Sequence, residues 1–401
     1  MSPFNLNRIL LLFVVFIVYG SLYPFDFTTA PRKAYELDAL YYIDIDPPRW
    51  GDLISNVLLF IPFGFLGMAM GSSANHPARQ FAILALSGAG LAFGLQVIQI
   101  FLPTRIPSLI DALCNILGIF LGGLLFLPLR AITWPSLPTL TRTEYMGFGL
   151  IAAWALDNLW PLVPGFDMQT LNEGLKPLIM HPPISIFKVF LTATGWMLMI
   201  HLWEFVQKKP PKILCQILAV TTMFGLEILM EANALEWEEV LGALLALLVW
   251  NLGISHFIRR TELLVGVLIA MLVWKGLSPL DWREVPVVFH WMPFGISIMG
   301  DPLYQISVMI QKFFHYGCLA WLLAERKTPL IQAFMLSAGT LMCLEGAQRY
   351  LVGHTPEITD PFMAFLLVLL INNEFQRQRA ADNHARENLA HSNLPLHSMP
   401  S

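Results

Sequence analysis

Apolar residues dominate the chain in stretches long enough to cross a bilayer, separated by short polar or Pro-containing segments. A transmembrane helix needs roughly 20 predominantly apolar residues. Twelve stretches approach that length: 8–23, 53–71, 80–101, 108–127, 145–162, 184–204, 213–231, 237–256, 261–278, 304–323, 329–351 and 358–373. Asp157 interrupts the fifth, and the twelfth is short and contains Pro361. Arg8 ahead of the run Ile9–Tyr19 imitates a secretory leader, but no A-x-A site follows closely, so the run reads as a retained first span. Residues 128–144 are rich in Pro and Thr and read as a linker. From 374 to 401 the apolar period is lost, which predicts a disordered tail.

Composition agrees with the pattern. Of 401 residues 56% are hydrophobic and 13% charged, with a mean hydropathy of +0.61, against about 25% charged in soluble domains. So little charge cannot cover a water-facing surface, and lipid must serve as solvent for most of the chain. The net charge of −4 and the lack of a basic run exclude a nucleic-acid partner. Four single cysteines without metal spacing read as small buried hydrophobes, and neither a metal nor a cofactor is expected. Placing the N-terminus in the cytoplasm leaves fourteen of the 24 Lys and Arg in inside segments, seven in outside segments and three within spans. By the positive-inside rule, both termini are expected in the cytoplasm, and the membrane is the cell's inner (cytoplasmic) one.

The chain also repeats itself. Offset by 249 positions, Leu95–Asp111 aligns without a gap on Leu344–Asp360, so that Gln99 meets Gln348, Arg105 meets His354, Pro107 meets Pro356 and Asp111 meets Asp360. Upstream, Leu22–Asp26 resembles Leu277–Asp281, and Phe60 with Gly64 resembles Phe313 with Gly317. A weaker match joins Phe93–Gln96 to Phe224–Glu227. The expected architecture is therefore all-α: a polytopic integral membrane protein of about 12 transmembrane helices in three four-helix repeats, the middle one degenerate. The repeats would occupy 1–127, 145–256 and 257–373.

Ser21–Phe25, then Asp52, Asn56 and Phe60–Gly64, then Gln99, Phe101, Pro103, Arg105, Ser108, Asp111, Asn115 and Gly118 resemble the VanZ-like family of membrane proteins, named for a member associated with teicoplanin resistance. The family usually places a glutamate where the first copy has Gln96. The third copy resembles the family through Lys312, His315, Glu345, Gln348 and Asp360. The resemblance covers 8–127 well, 261–373 moderately and 145–256 poorly, and implies a bacterial cell-envelope role.

Several of these residues carry chemistry. Glu345, Gln348 and Arg349 share one helical face, and a Glu345–Arg349 pair would offset part of the roughly 2.5–3.5 kcal/mol that a charge costs in the bilayer. A structural pair and a polar pocket both remain open. Asp111 and Asp360 sit near helix starts, where a carboxylate favours the positive end of the macrodipole, or else serve function. Arg105 and His354 suit anion recognition or a headgroup-level anchor. His315 and Lys312 are placed to pair with Glu345 across helices or to satisfy a core. Pro62 should kink or break its span. No Walker loop, GxGxxG, HExxH or GxSxG is present, so common soluble-enzyme chemistries lack support.

The expected function is an envelope factor binding an anionic lipid-linked or peptidoglycan-type ligand at the outer leaflet. Membrane lipid and a lipid-linked envelope precursor are the expected partners. Arg105 and His354 would contact the anion, while Gln96, Gln99, Asp111, His315, Glu345, Gln348 and Asp360 shape the pocket. An intramembrane enzyme using Glu345 or Asp360 as general base, and a secondary transporter, are the alternatives.

Overall fold

The structure, a computed structural model, describes residues 3–22, 25–29, 50–70, 77–103, 107–129, 140–180, 183–231, 233–294 and 302–392. These hold thirteen α-helices, one 3-10 turn and only isolated β-bridges. The helices are α1 (Pro3–Leu22), α2 (Trp50–Met70), α3 (Pro77–Gln99), α4 (Leu109–Leu129), α5 (Arg142–Leu159), α6 (Met168–Met180) and α7 (Ile186–Gln207). Then come α8 (Ile213–Ile228), α9 (Trp237–Leu252), α10 (Arg260–Leu277), α11 (Pro302–Glu325), α12 (Leu330–Gln348, π-helical over Met335–Gly339) and α13 (Thr359–Ser392).

Six of them are long and apolar enough to cross a membrane: 79–99, 109–127, 186–207, 237–256, 304–325 and 330–348. Leu86, Ile186, Leu252 and Ile258 are among many large apolar side chains left exposed on the protein. Water would not tolerate that surface, whereas lipid does. The chain is a multi-pass membrane protein. Other expected spans miss the same standard for visible reasons: α5 contains Arg142, Glu144 and Asp157, and α10 contains Arg260, Glu262 and Lys275.

The chain divides into two compact units. The first comprises Met1–Thr139, Trp160–Ile179 and Gly225–Ala234; the second comprises Leu140–Leu159, Met180–Phe224 and Leu235–Ser401. In the first unit α2 and α4 lie almost backbone to backbone. A Cβ on Gly118 would fall 2.2 Å from the Val57 carbonyl oxygen, and one on Gly122 would fall 2.0 Å from that of Ile61. Small residues four apart allow this approach, the usual means of joining helices that lipid does not drive together. Pro62 does not break α2, which runs continuously across it. The second unit is built on α11, whose Phe314, Cys318, Trp321 and Leu323 are at most 1% exposed. They pack with Leu198 and Ile200 of α7 and Leu264, Leu268 and Met271 of α10.

Two other expectations change. Of the cysteines only Cys318 is buried; Cys215 and Cys343 are exposed, as apolar thiols facing lipid are free to be. Helix α13 continues past residue 373 to Ser392, where disorder was expected. Gln, Arg, Ala and Glu carry it on, residues whose helix propensity is high though their apolar period is absent.

Candidate functional site

In the second unit a polar cavity of about 370 Å³ opens between α10, α11, α12 and the loop ahead of α13. His315, Glu345, Gln348, His354 and Asp360 all line it. These five were singled out by motif alone, and the fold brings them to one place. Lys275, Lys312, Tyr316 and Glu357 complete its polar wall.

Each side chain is held by a specific contact. Asp360, in the first turn of α13, accepts a hydrogen bond from the Tyr316 hydroxyl at 2.6 Å and lies 2.5 Å from Lys312 Nζ. The ion pair of Lys312 is thus with Asp360 rather than Glu345. Glu345 Oε2 accepts from the Glu357 backbone N–H at 2.8 Å. Among the described residues no ion pair joins Glu345 to Arg349, whose Nε donates to the Val287 carbonyl at 3.2 Å instead. The loop is what draws Arg349 away: residues 281–290 run alongside 349–358, with Arg283 N–H donating to Tyr350 O, Val287 N–H to Arg349 O and Ile358 N–H to His290 O. This pairing also presents Glu357. His354 Nε2 lies 2.9 Å from the Ser278 carbonyl, and Gln348 Nε2 donates to the Gly276 carbonyl at 3.0 Å. Lys275 donates to Gln311 Oε1, and Gln311 Nε2 donates to Asp157 Oδ2 at 3.4 Å. That chain explains how Asp157 is tolerated within an apolar helix.

The first unit holds the remaining motif residues. Gln96 Oε1 accepts from Ser108 N–H at 2.8 Å, and Gln99 Nε2 donates to the Ser21 carbonyl at 2.8 Å. Thr28 N–H donates to Phe101 O at 2.9 Å. Asp111 lies in the first turn of α4. Arg105 lies outside the described residues. Gln96, Gln99 and Asp111 do not line the cavity of the second unit; Gln96 and Gln99 make their own amide hydrogen bonds in the first.

The motif reading did not place Lys275 or Tyr316 at the site. Lys275 lies in the last turn of α10, where it lines the cavity and donates to Gln311. Tyr316 gave no signal beyond its adjacency to His315. A second polar cavity, of about 340 Å³, lies towards the other end of α11. There His201 Nε2 meets Glu325 at 2.7 Å, Arg260 grips both oxygens of Glu204, and Lys208 lies 2.7 Å from Glu144. No group of three or more His, Cys, Asp or Glu suited to a metal occurs among the described residues.

Residues 7–132 match the family model described as VanZ/LLP1, so that stretch is a VanZ/LLP1 domain. It ends where the first unit's four leading helices end. No curated protein and no solved structure matches the chain.

Proposed function

We propose that this multi-pass membrane protein, with its VanZ/LLP1 domain over residues 7–132, binds the headgroup of an anionic lipid-linked or peptidoglycan-type envelope ligand in the cavity of its second unit. The observation that carries the reading is the convergence of His315, Glu345, Gln348, His354 and Asp360 on one cavity. Lys312 spends one of its three donors on Asp360 and has others for a phosphate. His354 stands at the rim as a second contact.

The reading includes a repeat in which the second unit's site is the acidic version of an arrangement the first unit keeps neutral. Paired hydrogen bonds support this. Gln96 holds Ser108 N–H as Glu345 holds Glu357 N–H, and Gln99 holds Ser21 O as Gln348 holds Gly276 O. Thr28 N–H meets Phe101 O as Arg283 N–H meets Tyr350 O. All three pairs fall at aligned positions. We count twelve spans in this scheme, with both termini cytoplasmic and the cavity at the outer leaflet. A link to glycopeptide resistance is part of the same proposal.

A secondary transporter is the second reading, favoured by the two polar cavities along α11. His315 and Glu325 are ten residues apart, about 15 Å along a helix, and Cys318 to Leu323 between them are nearly closed to solvent. Binding of a radiolabelled polyprenyl phosphate to purified protein, with flux measured in proteoliposomes, tests both. Saturable binding is expected in the wild type. Glu345→Gln should keep normal membrane levels, because the amide oxygen still accepts from Glu357 N–H, while Lys312→Gln should weaken binding of the anion at least about tenfold by removing the cation. Absence of saturable binding in the wild type overturns the reading, and ligand-coupled flux replaces it with transport.

A further inference from the structure

We infer that the polar cavity and an adjoining apolar groove form one site for an aminophospholipid-type amphiphile, with a hydrocarbon chain in the groove and a protonated amine on Glu357. The inference rests on the reading of the cavity as a headgroup site and names the headgroup's chemistry.

Glu357 is 6% exposed and lines the cavity, and its Oε2 is buried without a hydrogen-bond partner among the described residues. Of its two acidic neighbours there, Glu345 Oε2 accepts from the Glu357 N–H, and Asp360 Oδ2 accepts from Tyr316 while its Oδ1, otherwise without a hydrogen-bond partner, lies 2.5 Å from Lys312 Nζ. The lysines each make one such contact, Lys312 with Asp360 and Lys275 with Gln311, and keep donors for a headgroup phosphate. The acceptor that the protein leaves over inside the cavity is a carboxylate oxygen, and a buried acceptor without a partner is costly. Its complement is a charged donor. A primary ammonium offers three N–H groups, whereas a trimethylated one offers none.

The groove lies beside the cavity in the same unit, with a volume of about 720 Å³. Gly149, Ala152 and Ala153 of α5 form one wall, and Ile306, Ile310 and Phe313 of α11 the other. Both sets follow helical three- and four-residue spacing. The small residues on α5 stand opposite large ones on α11, and the shortfall in volume leaves a trough. Gln305 borders both the trough and the polar cavity. A ligand that fills both must be apolar along one part and charged at the next, which is the chemistry of a lipid.

The test uses the full chain in nanodiscs, with competition among phosphatidylethanolamine, phosphatidylcholine and phosphatidylglycerol of identical acyl chains, read by native mass spectrometry. Phosphatidylethanolamine should be favoured at least about tenfold over both, the worth of one charge-assisted hydrogen bond. Glu357→Gln should collapse that preference to within about twofold. Gly149→Leu, where an added Cβ meets no atom within 4 Å, fills the trough and should weaken all three alike. Equal retention of the three lipids by the wild type overturns the inference even where polyprenyl phosphate still binds. Should Glu357→Gln fail to fold, the wild-type headgroup series decides alone. Unchanged binding in Gly149→Leu removes the groove from the site.

Discussion

Gln99 and Gln348 each answer a difficulty that every helix end meets in a membrane. The last carbonyls of a helix lack an intrahelical donor, and within lipid no water is at hand to supply one. Gln99 Nε2 donates to Ser21 O near the end of α1, and Gln348 Nε2 donates to Gly276 O near the end of α10. Replacing either glutamine by leucine orphans a carbonyl and should destabilise the protein by about 1–3 kcal/mol. Gln332→Leu, at an exposed position of α12, should change stability by no more than about 0.5 kcal/mol. Thermal unfolding in detergent compares the three, and a Gln348→Leu protein as stable as Gln332→Leu would contradict the account. At this scale the sequence spoke clearly where a motif recurs: Glu345, Gln348, His354 and Asp360 reach one cavity. It was silent where partners are set by loop geometry. Arg349 was expected beside Glu345 because helical spacing allows it, but the carbonyl of Val287, brought by a distant loop, takes its guanidinium instead.

Among elements, the approach of α4 to α2 is open to a direct test. Gly118 and Gly122 let α4 approach the backbone of α2 at Val57 and Ile61, and even one methyl group has nowhere to go against a fixed carbonyl. Gly122→Ala should therefore cost about 1–3 kcal/mol as overpacking. Gly94→Ala in α3, where no atom lies within 4 Å of the added carbon, should be neutral or slightly stabilising, since alanine is the better helix former. Folded yield by fluorescence-detected gel filtration distinguishes them, and equal yields would rule out the tight interface. Apolar runs made most helices legible in advance. Helix α6 was not, because Met168–Met180 is short and carries Pro177, and its Met168, Ile179 and Met180 point outward rather than into a core. Pro62 was expected to kink or break its span; α2 runs on across it as one helix, with Phe60 and Phe63 on either side packed in the first unit's core.

At the scale of the whole chain, charge distribution and helix geometry make independent statements about the second unit that one experiment can join. Lys and Arg counts predict that residues around Lys208, Lys209 and Arg326 face the cytoplasm, where such residues accumulate. Within the second unit these residues gather at the Glu325 end of α11, beside the cluster of His201, Glu204 and Arg260. The cavity of Glu345 and Asp360 lies towards the opposite end of the same helix, near Gln305 and Lys312. Tyr304–Glu325 is long and apolar enough to cross a bilayer, so the two ends of α11 should face opposite compartments. Gly353, at the cavity rim, and Lys209, just past α7, are both exposed and serve as reporters. In a background with all four native cysteines replaced, Gly353→Cys should react with an impermeant maleimide added to intact cells, and Lys209→Cys only after the membrane is opened. Reaction of both from the same side would show that α11 does not span. Reversal of the two would leave the spans intact but put the cavity on the cytoplasmic face, and an outer-leaflet ligand could then not reach Glu345.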